Sequence, residues 1–409
     1  MPLDVARVRG LFPTLSGGYL HLQGADGALV PETVARAVSA ALRVPLSDRG
    51  GAFPSSARAD ALVDAARRAV ADLVGGHPSR VVLGPNTTTL TRALSRALSR
   101  RWQMGDEIVV SRLDRTANVR PWLTAARAAG VAVRWAEVDI ETCELPAWQF
   151  DHLLSERTVL VAVTAASGAV GTRPDIAAVA ERAHQVGALV YVDGAHATPH
   201  APIDVDDLGA DLYVTSTAKW GGPHLAAVVA TAEVLEWLGV GRPSSTRLHS
   251  DPIDVDRLER DTLELGGLPL ELLAGLVASV EHLAGLDESA TGGRRDRVLA
   301  SMSAVQRYEA AVHSHLVGGL RSMRGVAVIG APVHPAPSLS FTVYGHTPRA
   351  VAEELAHRGI CAWNGSAGAP GLMDALGVAE LGGAIQVGLM HYNTFQEVDR
   401  FLDAVADLR

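Results

Sequence analysis

Lys219 is the only lysine in 409 residues, in a chain that carries 36 lysines and arginines together. It stands in VTSTAKWGGPH (214–224), after a short apolar run and just before two glycines. A loop lysine is ordinarily a solvated surface charge. Arginine keeps its proton, whereas lysine can lose it and act as a nucleophile or base. A composition that uses arginine at every other basic position therefore marks position 219 as a chemical requirement. Four polar clusters accompany it: GPNTTT (84–89), DRTAN (114–118), VDGAHATPH (192–200) and TSTAK (215–219). Together they offer an amine, carboxylates, imidazoles and a set of hydroxyls.

The elements that position these groups read as alternating strands and helices. Short β-rich runs cover 80–84, 106–113, 131–138, 158–167, 188–195 and 210–216. Between and before them lie helical patterns at 31–43, 57–74, 86–102, 121–130 and 174–187, the last opened by proline and closed by glycine. Strand–helix alternation at this spacing predicts an α/β fold with a mostly parallel, doubly wound sheet. In such sheets ligands sit beyond the carboxyl ends of the strands, where all four clusters fall. After about residue 235 the pattern changes: 255–267 reads as irregular, followed by two long helical segments, 268–286 and 294–320, then short strands and a final helix. The expected organisation is an N-terminal segment (1–25) packing near the small domain, a large domain (26–267) and a smaller α+β C-terminal domain (268–409) that includes a linking helix.

Composition narrows the function. The net charge of −9 offers nothing to a nucleic acid, and no apolar run is long enough to span a bilayer. The N-terminus lacks an apolar signal core, so a cytoplasmic protein is expected. Two cysteines, Cys143 and Cys361, exclude a disulfide framework and a cysteine zinc site; no metal site is expected.

One cofactor uses the whole polar set. Pyridoxal 5′-phosphate needs a lysine amine for a Schiff base and an acid against its pyridinium nitrogen. It also needs hydroxyls and backbone N–H groups around its phosphate, best supplied at a helix N-terminus. The strings HLQGADGALVP, DRGGAFPSS, ANVRPW, VYVDGAHATPHAPIDVDDLGADLYVTSTAK, GPHLA and HYNTFQEVDRFL resemble the class V aminotransferase family of fold-type I pyridoxal-phosphate enzymes, in its cysteine-desulfurase-like branch. The resemblance runs over nearly the whole chain. It implies that Lys219 carries the cofactor, that Asp193 pairs with the pyridine nitrogen and that His196 lies beside the ring near the phenolic oxygen. It implies Thr87, Thr88 and Ser216 at the phosphate, joined by Thr262 from a partner subunit, and hence a homodimer. Thr116 falls at or next to the position that covers the ring. His200 and His224 are read as structural.

The departures from the family pattern bear on the reaction. The desulfurase cysteine position falls on Gly368 in NGSAGAPG, while Cys361 lies seven residues earlier inside a strand. The arginine that grips a substrate carboxylate is replaced by Gln386, and an asparagine near the phenolic oxygen by Gly168. Arg115 precedes the ring-covering position, and Arg115, Arg173 or Arg247 could take over the carboxylate. Gln386, Arg115 and Ser366 are thus the expected substrate-side residues. The expectation is an enzyme acting on the amino group of an unusual amino acid, such as a cysteine S-conjugate of secondary metabolism, by β-elimination, decarboxylation or transamination, and not a cysteine desulfurase. An epimerase, a cofactor-holding partner protein without turnover, and a different phosphate ligand on the same fold are the alternatives.

Overall fold

The structure, a computed structural model, describes residues 3–238, 263–264 and 267–408. A two-residue strand β1 (Leu20–His21) precedes the main sheet. That sheet contains β2 (Val81–Gly84), β3 (Glu107–Ser111), β4 (Ala132–Ala136), β5 (Thr158–Thr164), β6 (Leu189–Asp193), β7 (Leu212–Ser216) and β8 (Ala226–Ala230). Its order is β2-β8-β7-β6-β5-β3-β4. The five strands from β7 to β4 are mutually parallel, while β8 runs antiparallel to both β7 and β2.

Strand alternation separates two cores. On one face Val82, Ile108, Val110, Leu160, Leu212 and Val214 pack against Leu90, Leu94 and Trp122 of the helices Thr87–Leu98 and Thr116–Ala129. On the other, Leu83, Val109, Val161, Val163, Val190 and Val192 meet the helices Pro54–Val74, Ile176–Gln185 and Leu270–Ala284. A sheet covered on both faces is what near-continuous apolar strands require.

The C-terminal unit is a four-stranded antiparallel sheet of β9 (Val326–Ile329), β10 (Ser338–Val343), β12 (Trp363–Gly365) and β13 (Ala384–Gly388), ordered β12-β13-β10-β9. Leu339, Phe341 and Val387 pack there against the helices Arg294–Ser322, Pro348–His357 and Phe395–Ala406. Strand β11 (Ile360–Cys361) pairs in parallel with β1, so the N-terminal segment is stitched to this unit.

Two of the differences from the sequence expectation concern the large sheet and its helices. The helix expected at 121–130 begins at Thr116, and Pro121 lies inside it. Proline there removes a single backbone hydrogen bond, which the buried packing of Val119, Trp122 and Ala126 offsets. Strand β8 had not been singled out. Its sequence AAVVA carries little β-propensity of its own, and it forms because it is wholly buried between β2 and β7.

Candidate active site

Register brings the polar clusters to one end of the sheet. Gly84 at the end of β2 and Ser216 at the end of β7 pair with the same residue, Ala226, from opposite sides. Those two strand ends are therefore roughly 10 Å apart. Asp193 ends β6 beside Val214, and Thr164 ends β5 beside Asp193.

Lys219 sits on a single 3₁₀ turn, Thr217–Trp220, that follows β7 and closes at Gly221 with φ of 80°. The turn is locked from both sides. The Thr217 hydroxyl bonds to the Pro223 and Leu225 carbonyls, and the Trp220 indole donates to Thr215 Oγ1 at 3.1 Å. The Thr215 hydroxyl lies 2.9 Å from that of Thr198, which donates to the Gly194 carbonyl at 2.7 Å. A chain of hydroxyls thus couples the lysine turn to the turn that carries Asp193. The Lys219 side chain is buried, and its amine donates to the Ala25 carbonyl at 2.5 Å, with Asp26 Oδ1 at 4.0 Å. Burial first, then the Arg115 charge, lowers the amine to about 7, against the opposing pull of Asp26 and Asp193. Near neutrality a large share of this amine is therefore uncharged.

Asp193 accepts from the Ala195 N–H at 3.0 Å. Burial raises its carboxyl above the ordinary range, and the Ala195 bond, Arg115 and Lys219 pull it back. A second carboxyl, Asp114, lies fully buried nearby, held by Asn118 Nδ2 at 2.5 Å and the Thr164 N–H at 3.2 Å. Burial is the main cause that lifts it to about 8, with the Asp193 charge adding to the effect. Burial thus shifts Asp114, like Asp193, toward its protonated form.

His196 is buried, with Nε2 3.0 Å from the Ser338 hydroxyl and its Nδ1 without a hydrogen-bond partner. Burial, followed by His200 and Lys219, keeps its pKa well below the usual histidine range, so the ring is neutral. Its unpartnered nitrogen faces Gly168: a Cβ on that glycine would come within 3.7 Å of the ring.

The remaining candidates fall as follows. Thr87 and Thr88 open the helix Thr87–Leu98, capped by Asn86, whose Oδ1 accepts from the Thr89 N–H at 2.8 Å. Thr88 is exposed and Thr87 and Ser216 partly so, which leaves a helix N-terminus open beside the end of β7. Thr116 is exposed, and its N–H donates to the Gly368 carbonyl at 2.9 Å. That bond draws the loop 366–369 of the C-terminal unit over the site. Arg115 pairs with Asp26 at 3.4 Å, and a Cβ on Gly368 would stand 2.9 Å from its Nε. Ser366 lies exposed in this loop. Gln386, on β13, is buried, and its amide donates to the Gly168 carbonyl at 2.5 Å. Thr262 and Arg247 lie outside the described residues. Sequence reasoning gave no role to Ala25, Asp114, Thr198, Thr215 or Ser338. All five act through contacts between separate elements, and only the quoted motifs containing several of them signalled the region.

The model of the family described as aminotransferase class-V matches residues 22–401. The chain belongs to the class V aminotransferase family. Its members include the cysteine desulfurases, and the chain is a pyridoxal-phosphate-dependent enzyme of that group. It is 43% identical over 409 residues, all of both chains, to a protein named "Uncharacterized protein MT3887" of Mycobacterium tuberculosis. It is 29% identical to the aminotransferase-like protein FGM3 of Gibberella zeae, covering 98% of each. Among solved structures it is similar to the cysteine desulfurase CsdA of Escherichia coli, with a TM-score of 0.83, 26% identity, and coverage of 99% of this chain and 98% of that one. The doubly wound large sheet with a smaller C-terminal sheet unit is the fold expected of such an enzyme. The chain's own residues fit the family cofactor. A buried amine of lowered pKa, a carboxylate one strand away, an unpartnered imidazole nitrogen and an open helix N-terminus meet at one sheet end.

Proposed function

We propose that Lys219 holds pyridoxal phosphate and that the protein transforms an amino acid recognised mainly by its distal group, without a protein persulfide. The observation that carries this reading is the buried Lys219 amine, lowered to about 7, one strand from Asp193 and near the unpartnered nitrogen of His196. When bound, the cofactor supplies an electron sink for the carbon that bears the substrate amine. Asp193 would hold a proton on the pyridine nitrogen, and His196 Nδ1 would meet the phenolic oxygen. Thr87, Thr88, Ser216 and backbone N–H groups would receive the phosphate. Freed from the cofactor, the Lys219 amine is the group suited to move the α-proton.

Two features support a reaction other than desulfuration. Burial raises the Cys361 thiol and pushes Cys143 up to about 11, so neither is a ready thiolate. At the family cysteine position Gly368 has φ of 71°, and a side chain there would crowd Arg115. Substrate recognition follows from Gln386. A neutral amide cannot give the charged, bidentate grip of arginine on a carboxylate, and here it is engaged by Gly168. Arg115, whose charge reaches both Lys219 and Asp193, is a remaining cation of the described site, and Ser366 lies in the loop whose Gly368 adjoins it. A cysteine S-conjugate fits such a site, with a homodimer completing the phosphate contacts through Thr262. Because the Gln386 amide is already occupied, a cofactor-holding protein without turnover is the second reading, separated by whether amino acids change the visible spectrum.

The test is borohydride reduction of the cofactor-loaded protein followed by peptide mapping. The label should fall on the peptide containing Lys219. Labelling of the cofactor-free protein by added pyridoxal phosphate should rise with pH about a midpoint near 7, because only the neutral amine attacks. A colourless, unlabelled protein would overturn the reading.

A further inference from the structure

A second cavity of about 510 Å³ lies between the helix Arg294–Ser322 and the proline-rich segment 330–337, beyond the wall made by His196 and Ser338. Its polar lining includes Arg173, His200, Glu309 and His313. His200, Glu309 and His313 are each more than nine-tenths buried. His200 Nδ1 donates to Glu309 Oε2 at 2.8 Å, which leaves Glu309 Oε1 and His200 Nε2 without partners. His313 Nε2 is also unpartnered, and burial pushes that ring down to about 4, so it is neutral. Arg173 makes no hydrogen bond or ion pair of its own among the described residues, although the Glu309 charge reaches it. Val170, Val317, Ile329 and Leu339 supply apolar wall.

Buried polar atoms without partners are costly, and these have complementary needs. Three acceptors suit a group rich in N–H, and an unpaired guanidinium suits a carboxylate. A metal ion is a poorer occupant: among the described residues no three His, Cys, Asp or Glu side chains are grouped to hold one. We propose that this cavity is a second small-molecule site for an α-amino acid with an aliphatic side chain, its ammonium on Glu309 Oε1 and the histidine nitrogens, its carboxylate on Arg173. The volume lies within the range of ligand pockets. The site adjoins the cofactor wall, because the His200 and His196 rings meet edge to face at 4.9 Å.

The experiment is calorimetric titration of the borohydride-reduced holoprotein, in which Lys219 can no longer exchange amines. The probes are L-leucine, 4-methylpentanoate, which lacks the amine, and 3-methylbutylamine, which lacks the carboxylate. Leucine should bind once per chain, and each analogue about tenfold more weakly or worse. Arg173→Gln and Glu309→Gln should each cost leucine about tenfold or more. Circular dichroism checks that the variants fold. If Glu309→Gln does not fold, Arg173→Gln, at a partly exposed position, decides the matter alone. Absence of leucine binding, equal binding of either analogue, or full binding by Arg173→Gln overturns the proposal. The same titration on cofactor-free protein keeps this result separate from the cofactor reading: leucine binding there with no label on Lys219 would fail that reading and leave this one standing.

Discussion

The two walls of the candidate active site are built differently. The wall at the ends of β6 and β7 carries the groups proposed to hold the cofactor, and hydrogen bonds lock each in place: Lys219 on a turn pinned by Thr217 and Trp220, Asp193 on Ala195, His196 on Ser338. The opposite wall, from β13 and the loop 366–369, has a neutral amide at Gln386 and small residues in the loop, with Ala367 and Gly368 both at positive φ. On the proposed reading, the first wall would hold the cofactor and the second would select what is brought to it.

The largest effect that would break this contrast is at Lys219. Lys219→Met should abolish borohydride-trapped cofactor and lower turnover by about two to four orders of magnitude, measured by peptide mapping and single-turnover kinetics. Turnover surviving in that variant would place the base elsewhere. Next comes Asp193→Asn, which removes the carboxylate proposed to face the pyridine nitrogen. Cofactor retention should weaken by roughly ten- to a hundredfold, read by equilibrium dialysis.

On the altered wall, Gln386→Arg should sharpen the contrast by improving KM for cysteine or alanine about tenfold, with little gain for a bulky conjugate. Steady-state kinetics with both substrate types on both proteins decides it. If the unaltered protein already handles free alanine as well as any conjugate, another arginine reads the carboxylate. The smallest effect is expected from replacing Cys143 and Cys361 together by serine. Product formation should be unchanged apart from a stability loss of about 1 kcal/mol at buried Cys143, seen in denaturant melts. Loss of product with the fold intact would make one thiol catalytic.

The preserved wall was legible in the sequence because its chemistry depends on residue type. A solitary lysine and an aspartate at a strand end suggest the roles proposed for them without a neighbour. The altered wall was legible as a set of substitutions, but not in what the substituted groups touch. Gln386 could be matched to a substrate position, yet its bond to Gly168 depends on how β13 lies against the turn after β5. Asp114 shows the same limit from the other side. Nothing in DRTAN says that its carboxyl will be buried, because that follows from packing against other strands, one of which brings the Thr164 N–H to it. The early start of the helix at Thr116 was hidden by Pro121, which reads as a helix opening and sits instead in its second turn.

The pairing of β1 with β11 also sets an order of events during synthesis. Leu20 and His21 find their partners at Ile360 and Cys361, and Leu22 and Gly24 exchange backbone hydrogen bonds with Cys361 and Gly388. Ala25, whose carbonyl receives the Lys219 amine, follows directly on this pairing. The parallel strands of the large sheet can form as they leave the ribosome, but the seat of Ala25 waits for residues more than three hundred positions downstream. Contacts of such long separation form slowly, and units generally fold from the N-terminus as they are made. From its own synthesis until residues 360–388 emerge, the growing chain therefore carries its one lysine without the carbonyl that orients it.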